Sequence, residues 1–277
     1  MDKNSITEIW KKSKEDIEKF NKELLINPYD AFSYNGRGVA KFKHYDYPGA
    51  LKDFNMALKI NPNYAEAYYN RGNLKERQHK HRGAYNDYTK AIKIYPQFAE
   101  AYCERGITQR DPQGAVQDCT KAIEIDPNFA EAYFNRAQAF DSLHAYKASI
   151  QDYNKAIEIN PNFPFVFFKR GYAKTDFEVR DYEGAIEDFT KEIEIHSDYY
   201  YAYYYRGEAK YEIADFIGAI EDYTKIIEMS PQDAMGYFKR GNSKYKLCDK
   251  NGACLDWSKA GELGYKEACG MIKKYCK

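Results

Sequence analysis

The stretch Ala65–Phe98, AEAYYNRGNLKERQHKHRGAYNDYTKAIKIYPQF, holds the pattern from which the rest of this chain is read. Tyr68, Gly72 and Lys75 fall at i, i+4 and i+7, one stripe of a helix. His79 to Arg82 make a turn. Ala84, Tyr88 and Ala91 repeat the spacing on a second helix, which stops at Pro96. Asn63, just past Pro62, is placed to act as an N-cap, with Glu66 three residues on to complete a capping box. Gln97 with Glu100 and Asn128 with Glu131 copy that arrangement. The product is a helical hairpin in which the small residues Gly72 and Ala84 let two backbones approach closely.

The hairpin recurs. An aromatic-x-x-Arg phrase followed by a small residue appears seven times, at Arg37, Arg71, Arg105, Arg136, Arg170, Arg206 and Arg240. The steps are 34, 34, 31, 34, 36 and 34 residues. Self-similarity at this period indicates a helical repeat array, whose units bury their apolar faces against neighbours. The small positions travel with it: Gly38, Gly106, Ala137, Gly171, Gly207 and Gly241 on first helices, and Ala50, Ala115, Ser149, Ala185, Ala219 and Ala253 on second helices.

Small residues, aromatics, Ala and Pro at these spacings resemble the tetratricopeptide repeat. The resemblance implies an all-α, right-handed superhelical solenoid of about seven helix-turn-helix repeats between capping helices. Repeats are expected at 31–64, 65–98, 99–129, 130–163, 164–199, 200–233 and 234–267, with an N-terminal cap at 1–30 and a C-terminal cap at 268–277. The run Trp257-Ser258-Lys259-Ala260-Gly261-Glu262-Leu263-Gly264 is also similar to the end of a Sel1-like repeat.

The arginines depart from the family pattern, which commonly has Leu there. A charge facing a partner helix needs a counter-charge, since an unpaired one costs several kcal/mol. Asp53, Asp87, Asp118, Asp152, Asp188, Asp222 and Asp256 are the expected partners. They lie 16 residues downstream in five repeats, 13 in the shortened third and 18 in the lengthened fifth. This predicts a ladder of ion pairs between helices.

In the family, first helices line the concave face. In repeats one to four that face is mixed and leans acidic, with Glu66, Glu76, Glu100 and Glu131. In repeats five to seven it carries Phe165, Phe168, Tyr172, Tyr201, Tyr204, Tyr211, Phe238 and Tyr245, eight aromatics in twelve positions. Such side chains anchor interfaces, so this half of the groove is the expected peptide site. The carboxylate clamp that co-chaperone relatives use for chaperone C-termini needs Lys two residues before the Arg; here that position holds Asn35, Tyr69, Cys103, Phe134, Phe168, Tyr204 and Phe238. No such clamp is expected.

Charge is balanced, 42 Lys and Arg against 42 Asp and Glu, so nothing draws the chain globally to nucleic acid or an anionic membrane. No apolar run approaches the roughly 20 residues of a membrane span, and the opening residues Met1–Asn4 lead into a charged helix, so a cytoplasmic protein is expected. Phosphate-loop, zinc-protease and nucleophile-elbow motifs are missing. His44, His79, His81 and His144 fall in hairpin turns and read as solvated turn residues; the six Cys lack Cys-x-x-Cys spacing, and Cys119 reads as buried filler. No catalytic, cofactor or metal residues are expected. Cys254 and Cys276 lie 11 residues either side of Tyr265, where two antiparallel helices would bring them alongside, so they are a candidate disulfide, with two reduced thiols the alternative.

The expectation is therefore a non-enzymatic scaffold that binds a peptide segment or helix of another protein. The alternative is a structural module that assembles through its ends or convex face.

Overall fold

The computed structural model describes residues 3–276. Met1 and Asp2, from the expected N-terminal cap, and Lys277, from the C-terminal one, lie outside the described residues. Within them every regular element is an α-helix, and two compact units are formed, divided between Ala139 and Phe140.

The first unit opens on α1 (Lys3–Ile26). Hairpins follow: α2 (Ala31–Lys43) with α3 (Tyr47–Ile60), α4 (Ala65–Arg77) with α5 (His81–Ile94), and α6 (Ala99–Thr108) with α7 (Pro112–Ile125). Helix α8 comprises Ala130–Ser142. The second unit contains α9 (Tyr146–Ile159), α10 (Val166–Lys174) with α11 (Tyr182–Ile195), α12 (Tyr200–Glu212) with α13 (Phe216–Met229), and α14 (Ala234–Lys246) with α15 (Lys250–Glu262), closed by α16 (Lys266–Tyr275). From α1 to α7, and from α9 to α16, each helix packs on the next in sequence.

The core follows from the small positions. Phe54, Tyr88, Phe189, Tyr223 and Trp257 of the second helices are fully buried, and each ring lies over a first-helix glycine. A Cβ at Gly38 or Gly72 would sit 2.6 Å from the ring of Phe54 or Tyr88, so only glycine leaves room for the aromatic. Cys119 takes the ring's place above Gly106, buried as the sequence suggested.

The hairpin turns are built from left-handed residues without glycine: Tyr45, His79, His144, Arg180, Ala214 and Cys248 all have φ between 53° and 63°. Each follows a helix end, and the next N–H reaches back across the turn, Asp46 to the Lys41 carbonyl at 2.9 Å and Asp215 to that of Lys210 at 2.9 Å. The third repeat, three residues shorter, lacks this turn. Gln109 is extended, Asp111 caps α7, and Pro112 takes the first helical position, where its missing N–H is harmless.

The capping-box reading needs correction. The residues preceding α4 and α6 are Tyr64 and Phe98, and neither makes a side-chain cap bond. Asn63 instead donates its N–H to Asn61 Oδ1 at 3.0 Å, an Asx turn around Pro62. Asn128 does the same to Asp126, and Asn162 to Asn160. The side-chain acceptor lies before the proline, and the helix starts later than the box requires.

Candidate functional site

Each repeat arginine is held on several sides. Arg37 donates through Nε and Nη2 to both Asp53 oxygens at 2.8 and 2.7 Å. The same fork joins Arg71 to Asp87, Arg105 to Asp118, Arg170 to Asp188, Arg206 to Asp222 and Arg240 to Asp256. These carboxylates are buried. In five repeats a lysine one turn after the arginine adds a second cation, as Lys41 on Asp53 at 2.7 Å and Lys75 on Asp87 at 2.6 Å, and in the third Gln109 takes its place on Asp118. Hydrogen bonding to the aspartates raises the pKa of Arg37, Arg105 and Arg240 further above its ordinary value.

Two further supports escaped sequence reasoning. The guanidinium lies over the aromatic three residues before it in all seven repeats, from Tyr34 under Arg37 at 5.3 Å to Phe167 under Arg170 at 5.7 Å. Its Nη1 also reaches a residue 16 positions upstream: Asn21, Asn55, Thr89, Thr120, Asn154, Thr190 or Thr224. The signal was present as Asp-aromatic-Asn/Thr, visible in Asp53-Phe54-Asn55 and Asp87-Tyr88-Thr89. In six of the repeats the guanidinium is thus engaged through Nε, Nη1 and Nη2 and by the ring beneath it.

The eight expected groove aromatics fall into groups. Phe165, Tyr172 and Tyr201 are exposed, by 41, 41 and 55 per cent. Phe168 is half-buried against Phe189, Tyr199 and Tyr205. Tyr204 touches Tyr205, ring centroids 5.2 Å apart, and Tyr205 touches Tyr172 at 5.0 Å. Tyr199, Tyr200 and Tyr205 complete this cluster and were missed, because the repeat pattern assigns them to packing rather than to the groove. A groove of about 660 Å³ opens among Tyr200, Tyr201, Tyr204, Tyr205, Ser230, Gln232, Asp233 and Met235. Tyr211 packs on Phe216 across its hairpin. Phe238 and Tyr245 turn toward the C-terminal end, Phe238 onto Tyr265 at 4.7 Å and Tyr245 onto Tyr275 at 4.6 Å.

Phe165 has an unusual seat. Helix α10 starts four residues before its arginine, whereas α12 and α14 start six before theirs. The chain enters it through Pro164 and a left-handed Phe165, φ 58°. The ring stacks on His196 at 5.0 Å, and His196 Nδ1 lies 2.7 Å from Glu192. Glu192 is fully buried where α5 and α13 have Ala91 and Ile226, and its other oxygen accepts the Phe168 N–H at the helix start. This carboxylate caps α10 from a neighbouring helix.

The polar residues around the cluster are engaged. Tyr223 donates to Glu208, which also pairs with Lys239 at 2.5 Å, and Tyr200 donates to Asp233 at 2.6 Å. Lys239 lies over the Tyr204 ring. In the first unit the acidic face is different. Glu104 is flanked by Glu76 and Glu131, and burial with their repulsion pushes it up to about 7. The turn histidines are partnered rather than merely solvated: His81 on Glu76 at 2.7 Å and His44 on Ser13 at 3.2 Å. Cys254 and Cys276 are joined through sulfur, Cα atoms 5.7 Å apart, linking α15 to the residue after α16. Among the described residues no helix is long and apolar enough to cross a membrane.

Tetratricopeptide repeats are found in this chain. The tetratricopeptide repeat model matches residues 65–98 and 130–163, and a TPR repeat model matches 46–79. No curated protein matches the chain. Among solved structures, a tetratricopeptide repeat protein from Parabacteroides merdae is 21% identical, with TM-score 0.59, covering 88% of this chain and 96% of that one. YrrB, a TPR protein with an unusual peptide-binding site, is 22% identical with TM-score 0.57, covering 67% and 96%. MamA is 26% identical with TM-score 0.53, covering 59% and 90%. The all-helical repeat architecture is common to them.

Proposed function

We propose that this chain is a non-enzymatic scaffold that binds a segment of another protein on the aromatic groove of its second unit. The observation that carries the reading is the run of exposed rings, Phe165 at the entry to α10, Tyr172 on α10 and Tyr201 on α12, beside helices whose own cores are already filled. Exposed aromatics on a rigid support lose little entropy on binding and are the usual interface anchors. A solved structure with a peptide-binding site shares the fold, which supports the reading by analogy. The partition into seven repeats at the boundaries given above, a Sel1-like C-terminal end and a cytoplasmic location belong to the same proposal.

The test is affinity capture with the full chain and with a Tyr172→Ala, Tyr201→Ala variant, both rings being exposed enough to remove without opening the core. Partners should be lost at least tenfold while helicity by circular dichroism is unchanged. Capture at unchanged yield would reject the groove. A second reading, assembly through other faces, draws on Ile217 and Leu255, which stand exposed on second helices α13 and α15.

A further inference from the structure

Neighbouring rings in the second-unit groove stand nearly perpendicular. Tyr172 and Tyr205 are inclined at 88°, Tyr204 and Tyr205 at 86°, and Tyr200 and Tyr201 at 84°. Such an arrangement offers ring faces separated by slots rather than one flat apolar wall. The hydroxyls divide into two sets. Tyr200, Tyr203 and Tyr223 donate to Asp233, the Ser197 carbonyl and Glu208. Those of Tyr172, Tyr201, Tyr204 and Tyr205 have no acceptor among the described residues. Burial pushes Tyr204 and Tyr205 above the ordinary tyrosine value, so both remain donors at neutral pH. Of the charges beside the rings, Lys239 is paired with Glu208, and the Asp233 carboxylate is occupied by the Tyr200 hydroxyl and the Met235 and Gly236 N–H groups at the start of α14. The groove therefore asks for an uncharged ligand with flat apolar faces and free carbonyl oxygens.

An α-helix does not fit this demand, because its interior carbonyls are bonded within the helix. An extended strand frees its carbonyls but gains most by pairing with a sheet edge, and the described residues contain no strand. A polyproline II segment has no internal hydrogen bonds, exposes every carbonyl, and presents rigid pyrrolidine faces that dock in aromatic-lined grooves. We propose that the groove formed by α10, α12 and the start of α14 takes a proline-rich segment in this conformation. The proposal rests on the groove reading above and names its ligand class.

The experiment titrates the full chain with a blocked decaproline peptide and, separately, with a blocked amphipathic Leu/Lys helical peptide, by calorimetry up to about 1 mM. Decaproline should bind and the helical peptide should not. Tyr204→Phe with Tyr205→Phe removes only hydroxyls and should weaken decaproline by about tenfold, the scale of one to two hydrogen bonds. Unchanged affinity in that variant overturns the inference. Binding of the helical peptide alone overturns it while leaving the groove reading standing. Binding of neither peptide also overturns it, with the groove reading still judged by capture. Decaproline binding that survives Tyr172→Ala with Tyr201→Ala would place that peptide elsewhere and overturn the inference, with the groove reading again judged by capture.

Discussion

Asp87 illustrates how the repeat charges are used. It is buried and accepts both from the Arg71 fork and from Lys75. Asp87→Ala strands two cations, whereas Arg71→Ala leaves the carboxylate with Lys75. The first should cost about 3–5 kcal/mol and the second about 1–3. Urea midpoints in the opposite order would contradict this assignment of partners. Glu104 gives a pH prediction. Its folded value of about 7 lies above the ordinary 4.5, so between these values the folded chain keeps a proton that the unfolded chain has lost. Stability therefore falls as pH rises through that window and the whole penalty is present above it. Glu104→Gln should stabilise by about 2 kcal/mol near pH ~8 and by about zero near pH ~4. An equal effect at both pH values would show that Glu104 titrates normally.

The helices were legible because two periodicities coincide in every repeat: the turn-to-turn stripe and the Arg-to-Asp offset that follows each insertion or deletion. What escaped the sequence depends on neighbours distant along the chain. The Asn/Thr support of each arginine belongs to the preceding repeat or, for Arg37, to α1, and Glu192 serves a helix start 24 residues away. The N-cap at Asn63 failed because the Asx turn before Pro62 uses a different side chain. The cluster of Tyr199, Tyr200 and Tyr205 was hidden by the rule that packs those positions. Helix α16 adds a prediction. The Cys254–Cys276 link ties it to α15 and closes a loop of 22 residues. Non-reducing peptide mapping of oxidised protein should recover a Cys254–Cys276 pair, and Cys276→Ser should raise amide exchange across α16. Two unlinked cysteine peptides would contradict the bridge.

Across the whole molecule, most of the 28 tyrosines are buried or half-buried in the repeat packing; of the exposed ones Tyr29, Tyr45 and Tyr95 sit at helix junctions of the first unit, and Tyr172 and Tyr201 stand on first helices of the second. The first unit offers acidic side chains on the corresponding face, so the two units are chemically unlike although built on one pattern. The groove and the exposed second-helix residues make opposite predictions about where a partner touches. Photocrosslinking separates them: benzoylphenylalanine is placed at position 201 on α12 or at position 255 on α15, and adducts with captured partner are quantified by mass spectrometry. Position 201 should yield partner adducts and position 255 none. Adducts from position 255 with none from 201 would contradict the aromatic groove and favour association through the second helices.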